Sequence, residues 1–152
     1  MSISRNDNLF CIRTNRSSYV FQVTETGHLE HLYYGPSLGD LTLADAAAMS
    51  EKRVFAAGNL ISYDQAHTSV TPEDMCLELS GRGKGDLREP FVDLTFADGS
   101  RTVDFLFADA GISRQDAKED REKKQGFEED LLLPHACDAS GKAERLTIFL
   151  KE

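Results

Sequence analysis

The sequence predicts an all-β fold, an antiparallel β-sandwich with at most a short helix near residues 42–52. Three observations carry this. Apolar residues recur at every second position in several short runs, which is the spacing of a strand with one buried face. Those runs are separated by glycine-containing turns, TETGH and ADGS among them. Only one stretch, LTLADAAAMSEK, has the alanine content and capping residues of a helix.

Element by element, NLFCIRT sets Phe10 and Ile12 against Cys11 and Arg13. In SYVFQVT, Tyr19, Phe21 and Val23 share one face, and Val20 and Gln22 share the other. TETGH turns the chain, with Gly27 free to take a positive φ. LEHLYYG sets Leu32 and Tyr34 against His31 and Tyr33. Thr42 and Asp45 have the spacing of a capping box at the start of the alanine run. Residues 56–72 offer only a short strand near Leu60–Tyr63. A second hairpin is predicted from Pro90 onward. Val92, Leu94 and Phe96 share a face, Asp98-Gly99 forms the turn, and Val103, Phe105 and Phe107 make the returning stripe. The charge-dense stretch over residues 113–130 reads as an exposed loop. ERLTIFLKE closes with a strand in which Leu146, Ile148 and Leu150 alternate with Thr147 and Phe149.

Composition sets the outer bounds. The chain has 152 residues, 40% hydrophobic and 28% charged, with nine Phe, four Tyr and no Trp. Residues 1–152 are read as one domain, and a domain of this size buries roughly 68–70% of its unfolded surface, enough for a core without staples. The net charge of −9 argues against nucleic acid and anionic membranes, whose binding rests on clustered Lys and Arg. Cys11, Cys76 and Cys137 are odd in number and lack CxxC spacing, the pattern of free thiols in a reducing compartment. MSISRNDNLF has no basic segment followed by an apolar run, and no apolar run approaches the ~20 residues of a membrane span. A cytoplasmic location is the expectation.

The residues that invite a chemical reading lie in GRGKGDLREP. A phosphate loop needs Gly-x4-Gly-Lys-Ser/Thr opening a helix. Here Gly85 leads instead to Asp86 and a strand. Arg88 and Glu89, adjacent on extended chain, point to opposite faces and cannot pair with each other. Asp86, Arg88 and Glu89 are therefore expected to form an ion-pair network between elements, with Gly85 and Pro90 shaping the backbone. His28, His31, His67 and His135 show no metal-ligand spacing, so neither a metal nor a cofactor is expected. No nucleophile motif appears, and carboxylate counting does not identify a glycosidase.

Taken in order, these segments resemble a known family. Ser18, Tyr19 and Val20, then Leu29 with His31 to Gly35, then Gly85, Asp86, Arg88 and Pro90 entering the DGS hairpin are similar to the amino-terminal domain of family 36 glycoside hydrolases, the microbial α-galactosidases. The resemblance covers residues 8–107 best. It implies part of a galactose-mutarotase-like β-supersandwich ahead of a (β/α)8 barrel. That barrel would carry two aspartates, a nucleophile and a general acid/base, beyond residue 152. The chain would then be an incomplete, non-catalytic amino-terminal domain of a much longer enzyme. Its partners would be the rest of that chain, further subunits of a homo-oligomer (a tetramer by resemblance) and, in the full enzyme, a galacto-oligosaccharide. The resemblance also implies that an acidic residue after the YYG strand reaches a neighbouring subunit's sugar site. Ungapped counting places Glu51 there, where the family has Asp. The alternatives are an independent carbohydrate-binding sandwich, which the absence of Trp disfavours, and an intracellular interaction domain.

Overall fold

The computed structural model describes residues 2–51, 61–116 and 142–151. Four strands form an antiparallel meander in the order β1 (Ser2–Asn6), β2 (Leu9–Arg13), β3 (Ser17–Val23) and β4 (Leu29–Pro36). A second, two-stranded sheet pairs β5 (Leu106–Asp116) with β6 (Lys142–Lys151). The all-β expectation holds, with one helix, α1 (Leu43–Met49).

The alternation seen in the sequence becomes two packed layers. Phe10, Phe21 and Leu29 face the β5–β6 ribbon and meet Phe107, Ala110, Leu146, Ile148 and Leu150. The Phe10 and Phe21 rings stack with centroids 4.9 Å apart. At ~25 cal/mol per Å² of apolar surface, two buried phenylalanines contribute several kcal/mol toward holding ribbon to sheet. Leu9, Cys11 and Val20 point the other way and are covered by Ala46 of α1, with Leu32, Tyr33, Leu38 and Leu41 around them. The helix begins where its cap dictates. Thr42 Oγ1 accepts from the Asp45 backbone N–H, and Asp45 returns a carboxylate oxygen to the Thr42 N–H at 2.8 Å.

Four readings from the sequence need correction. The pairing register shifts between Val20 and Phe21, so that Tyr33 faces Val20, His31 faces Phe21 and Leu32 is extra. This β-bulge places His31 and Tyr34 on the ribbon side and sends Leu32 with Tyr33 to the helix side, breaking the simple alternation. β1 was not anticipated, because Ile3 is the only apolar residue in SISRN; its place is fixed by backbone pairing from Ser2↔Arg13 to Asn6↔Leu9. The hairpin expected over Pro90–Phe107 has its turn, with Gly99 at φ 83° and Phe96 N–H donating to Ser100 O at 2.9 Å. Its flanks form no ladder, however. Each bonds the glycine segment instead, Phe91 N–H to Ser80 O and Val103 N–H to Arg82 O, and strand begins only at Leu106. Finally, the loop expected from residue 113 opens as strand, since Ser113–Asp116 pair with Lys142–Arg145.

Of the strand expected near Leu60–Tyr63, Ile61–Tyr63 are not strand, and Leu60 lies outside the described residues, as do residues 117–130 of the charged stretch.

Candidate functional site

The glycine segment packs over the open end of the β3–β4 turn. Gly83, Lys84 and Gly85 all take positive φ, at 94°, 57° and 85°, so the chain reverses there, and a backbone bridge joins Gly83 to Asp86. Gly81 is required for a different reason: a Cβ there would sit 2.5 Å from Val103 O. The loop is a tight turn pressed on the 102–104 backbone, not the mouth of a helix.

Asp86 and Arg88 meet. Arg88 Nε donates to Asp86 Oδ1 at 2.8 Å and Nη2 to Oδ2 at 3.0 Å, a two-pronged pair. The same guanidinium donates to Met75 O at 2.6 Å and Pro72 O at 3.1 Å. It thereby ties the glycine turn to the short 3₁₀ turn Pro72–Asp74. Burial works to raise the Asp86 carboxyl, but the Arg88 side-chain and backbone hydrogen bonds outweigh it and leave the carboxyl below the usual range. Glu89 does not join this pair; its backbone carbonyl accepts from Ser80 Oγ at 3.2 Å. Gly85 packs at the edge of Ile61, and Pro90 leads out of the turn toward Phe91. Glu51 is elsewhere, exposed, one residue beyond the Ser50 C-cap of α1.

Two polar clusters beside this turn were not foreseen. In the first, Asp104 gathers three segments. Its Oδ1 pairs with His28 Nε2 at 2.9 Å, its Oδ2 accepts from Tyr63 Oη at 2.6 Å, and Lys84 Nζ lies 3.7 Å away. His28 is buried, and its Nδ1 pairs with Thr26 Oγ1 at 2.7 Å. Burial, then the bond to Asp104, pushes the Tyr63 phenol up to about 12. In the second cluster, Glu78 accepts from Tyr19 Oη at 2.6 Å and lies 3.1 Å from His31 Nδ1. Burial and then Glu78 raise the Tyr19 phenol. Cys76 O and the Glu78 N–H bond the β4 backbone at His31 and Leu29, so this segment lines the β4 edge. The sequence offers no local signal for these clusters: His28 follows the Gly27 turn, His31 sits between Glu30 and Leu32, and their partners Asp104 and Glu78 lie 76 and 47 residues away.

These groups satisfy one another. The recess between them, lined by His28, Lys84, Asp86 and Asp104 among others, holds about 10 Å³, room for one water and not for a sugar ring. Among the described residues, no group of three His, Cys, Asp or Glu is placed to hold a metal ion, and no helix is long and apolar enough to cross a membrane. What the arrangement does is tie the glycine turn to the β3–β4 turn and the Pro72–Asp74 turn through paired side chains.

The family model for the glycosyl hydrolase family 36 N-terminal domain matches residues 27–152. This chain belongs to that family. Solved structures of family 36 α-galactosidases share its fold. The Lactobacillus brevis α-galactosidase superposes with a TM-score of 0.71 at 22% identity, covering 93% of this chain and 17% of its own. The galactosidase domain of the α-galactosidase-sucrose kinase AgaSK gives 0.70 at 21%, over 99% and 19%. AgaB from Geobacillus stearothermophilus gives 0.64 at 22%, over 75% and 15%. The family 36 fold described here thus spans less than a fifth of the chains it resembles. No curated protein sequence matches.

Proposed function

We propose that this chain acts as the non-catalytic amino-terminal β-sandwich domain of an α-galactosidase. The full-length cytoplasmic enzyme would release terminal α-linked galactose from melibiose- and raffinose-type oligosaccharides, and this domain would pack on a catalytic barrel and help to assemble subunits. Glu51 is the residue proposed to reach a neighbour's sugar site. Gly85, Asp86, Arg88, Glu89 and Pro90 are proposed as the scaffold that sets the domain's shape. One observation carries the reading. The family 36 N-terminal match runs over residues 27–152, while the enzymes sharing the fold devote only 15–19% of their chains to it. The self-satisfied polar clusters and the 10 Å³ recess support a domain that does no chemistry by itself. The exposure of Glu51 suits a residue offered outward.

Incubating the purified chain with p-nitrophenyl α-galactoside tests this. No hydrolysis above buffer is expected, and raffinose titrated into the chain alone should give no saturable binding. Hydrolysis by this chain would overturn the non-catalytic assignment. Saturable raffinose binding would favour an independent carbohydrate-binding module.

A further inference from the structure

Pro90–Phe105 has the residues of a hairpin without its ladder. Among the described residues, the N–H and C=O groups of Val92, Asp93, Leu94 and Thr95 make no backbone hydrogen bond. Asp93, Leu94 and Thr95 are exposed. Apolar bulk is displayed alongside: Leu87 is 72% exposed, Phe91 62% and Leu94 39%. A run of free peptide groups beside exposed apolar side chains is a template for another strand. The run is also held in place at both ends. Phe91 N–H is bonded to Ser80 O, the Arg88 fork grips Asp86 and two carbonyls, and Phe96 closes the Gly99 turn. Little ordering is therefore left to oppose pairing.

We propose that Phe91–Phe96 pairs antiparallel with the same segment of a second copy of this chain. Two features favour a copy as the occupant. The molecule carries −9 overall, yet Arg82–Arg101 holds four cations and four anions, so this face meets itself without net repulsion. Asp93 is neutralised by both Arg82 and Arg101. The register is also favourable. A two-fold axis through Leu94 sets Leu94 opposite Leu94, Asp93 opposite Thr95 and Val92 opposite Phe96. Leu94, Val92 and Phe96 then face their counterparts on one side of the pair, and no like charges are set opposite each other. The inference rests on the assembly role proposed above and gives it a surface.

Sedimentation velocity over a concentration series, with hydrogen exchange on the same samples, tests it. A dimer should appear as concentration rises, and the outward amides of Val92 and Leu94, alternate to the Phe91 N–H held by Ser80 O, should become protected with it. Leu94→Asp places a charge on an already exposed side chain, so the fold should be kept; association should weaken at least about tenfold. Leu94→Pro, which removes a ladder donor, should act likewise. Three results would overturn the proposal. The first is a monomer up to millimolar concentration with those amides unprotected. The second is a dimer indifferent to both substitutions. The third is protection that arises only when a family 36 α-galactosidase is added, which would assign the face to another chain. Each is distinct from the hydrolysis test, which can fail or succeed independently.

Discussion

Replacing Arg88 with Ala isolates the junction that ties the glycine turn to the Pro72–Asp74 turn. The Asp86 side chain is 3% exposed and the Arg88 side chain 40%. Removing one partner of a fully buried pair costs ~3–5 kcal/mol, because a desolvated charge is left behind. The half-open guanidinium is screened by solvent, which brings the figure down to about 2–3 kcal/mol. For a chain of this size that lowers Tm by roughly 4–12 °C. The pH dependence adds a sharper check. In the wild type the Asp86 carboxyl lies below its ordinary range, with burial opposing and Arg88 prevailing. Its contribution is present above the unfolded carboxylate pKa of ~3.9 and is lost as pH falls through the lower, folded value. Without Arg88 only the backbone bond opposes burial, so the carboxyl rises and the variant should recover relative stability on acidification. Thermal melts by circular dichroism between pH 3 and 7, with Asp86→Ala and the double variant completing the cycle, read both effects. A loss within about 0.5 kcal/mol at pH 7, or a stability gap that does not narrow in acid, would refute the reasoning.

Two further outcomes follow from the same region. Asp104→Asn removes the charged acceptor shared by His28 and Tyr63, at about 1–2 kcal/mol by denaturant titration. It should also lower the Tyr63 titration midpoint from about 12, read as phenolate absorbance. Because that phenol is raised in the fold, its stabilisation is full below the unfolded value near 10 and is lost as pH climbs toward 12; the variant should lose less there. Gly81→Ala drives a methyl to 2.5 Å from Val103 O. The backbone must shift, costing about 1–3 kcal/mol, and the Val103 amide bonded to Arg82 O should exchange faster; unchanged exchange would mean the contact yields freely.

The sequence made some elements readable and left others hidden, for definable reasons. β2, β3 and β6 are legible because each has a buried face and alternates over its length. α1 is legible because Thr42 and Asp45 bond within three residues of each other. β1 is hidden because its stabilisation lies in main-chain pairing, to which side-chain type is nearly indifferent. The end of β5 is hidden for a related reason: Ser113 pairs with Arg145, a partner 32 residues on. The alternation of Val92, Leu94 and Phe96 is real, but it records which side chains prefer a pleated surface. It does not say which backbone completes the ladder. The junction residues divide the same way. Asp86 and Arg88 are near in sequence and were singled out, though their actual partnership is with each other and not with Glu89. The Asp104 and Glu78 clusters depend on turns folding back over distances that no local pattern encodes.

The layered core has a consequence for how this polypeptide is made. The four-stranded meander is finished at Pro36, yet the ribbon side of Phe10 and Phe21 is covered by Leu146, Ile148 and Leu150, and the Ile3 N–H is held by Glu144. On a ribosome adding ~5–20 residues per second, about 110 residues separate those events, a wait of roughly 5–20 s. For that interval a nascent chain shows an aromatic sheet face to the cell. The helix side closes much earlier, by Ala46, so the two faces of one sheet are sealed at different times. Chaperone dependence should fall on the late face, and slow codons before Lys142 should lengthen the exposure without changing the finished fold.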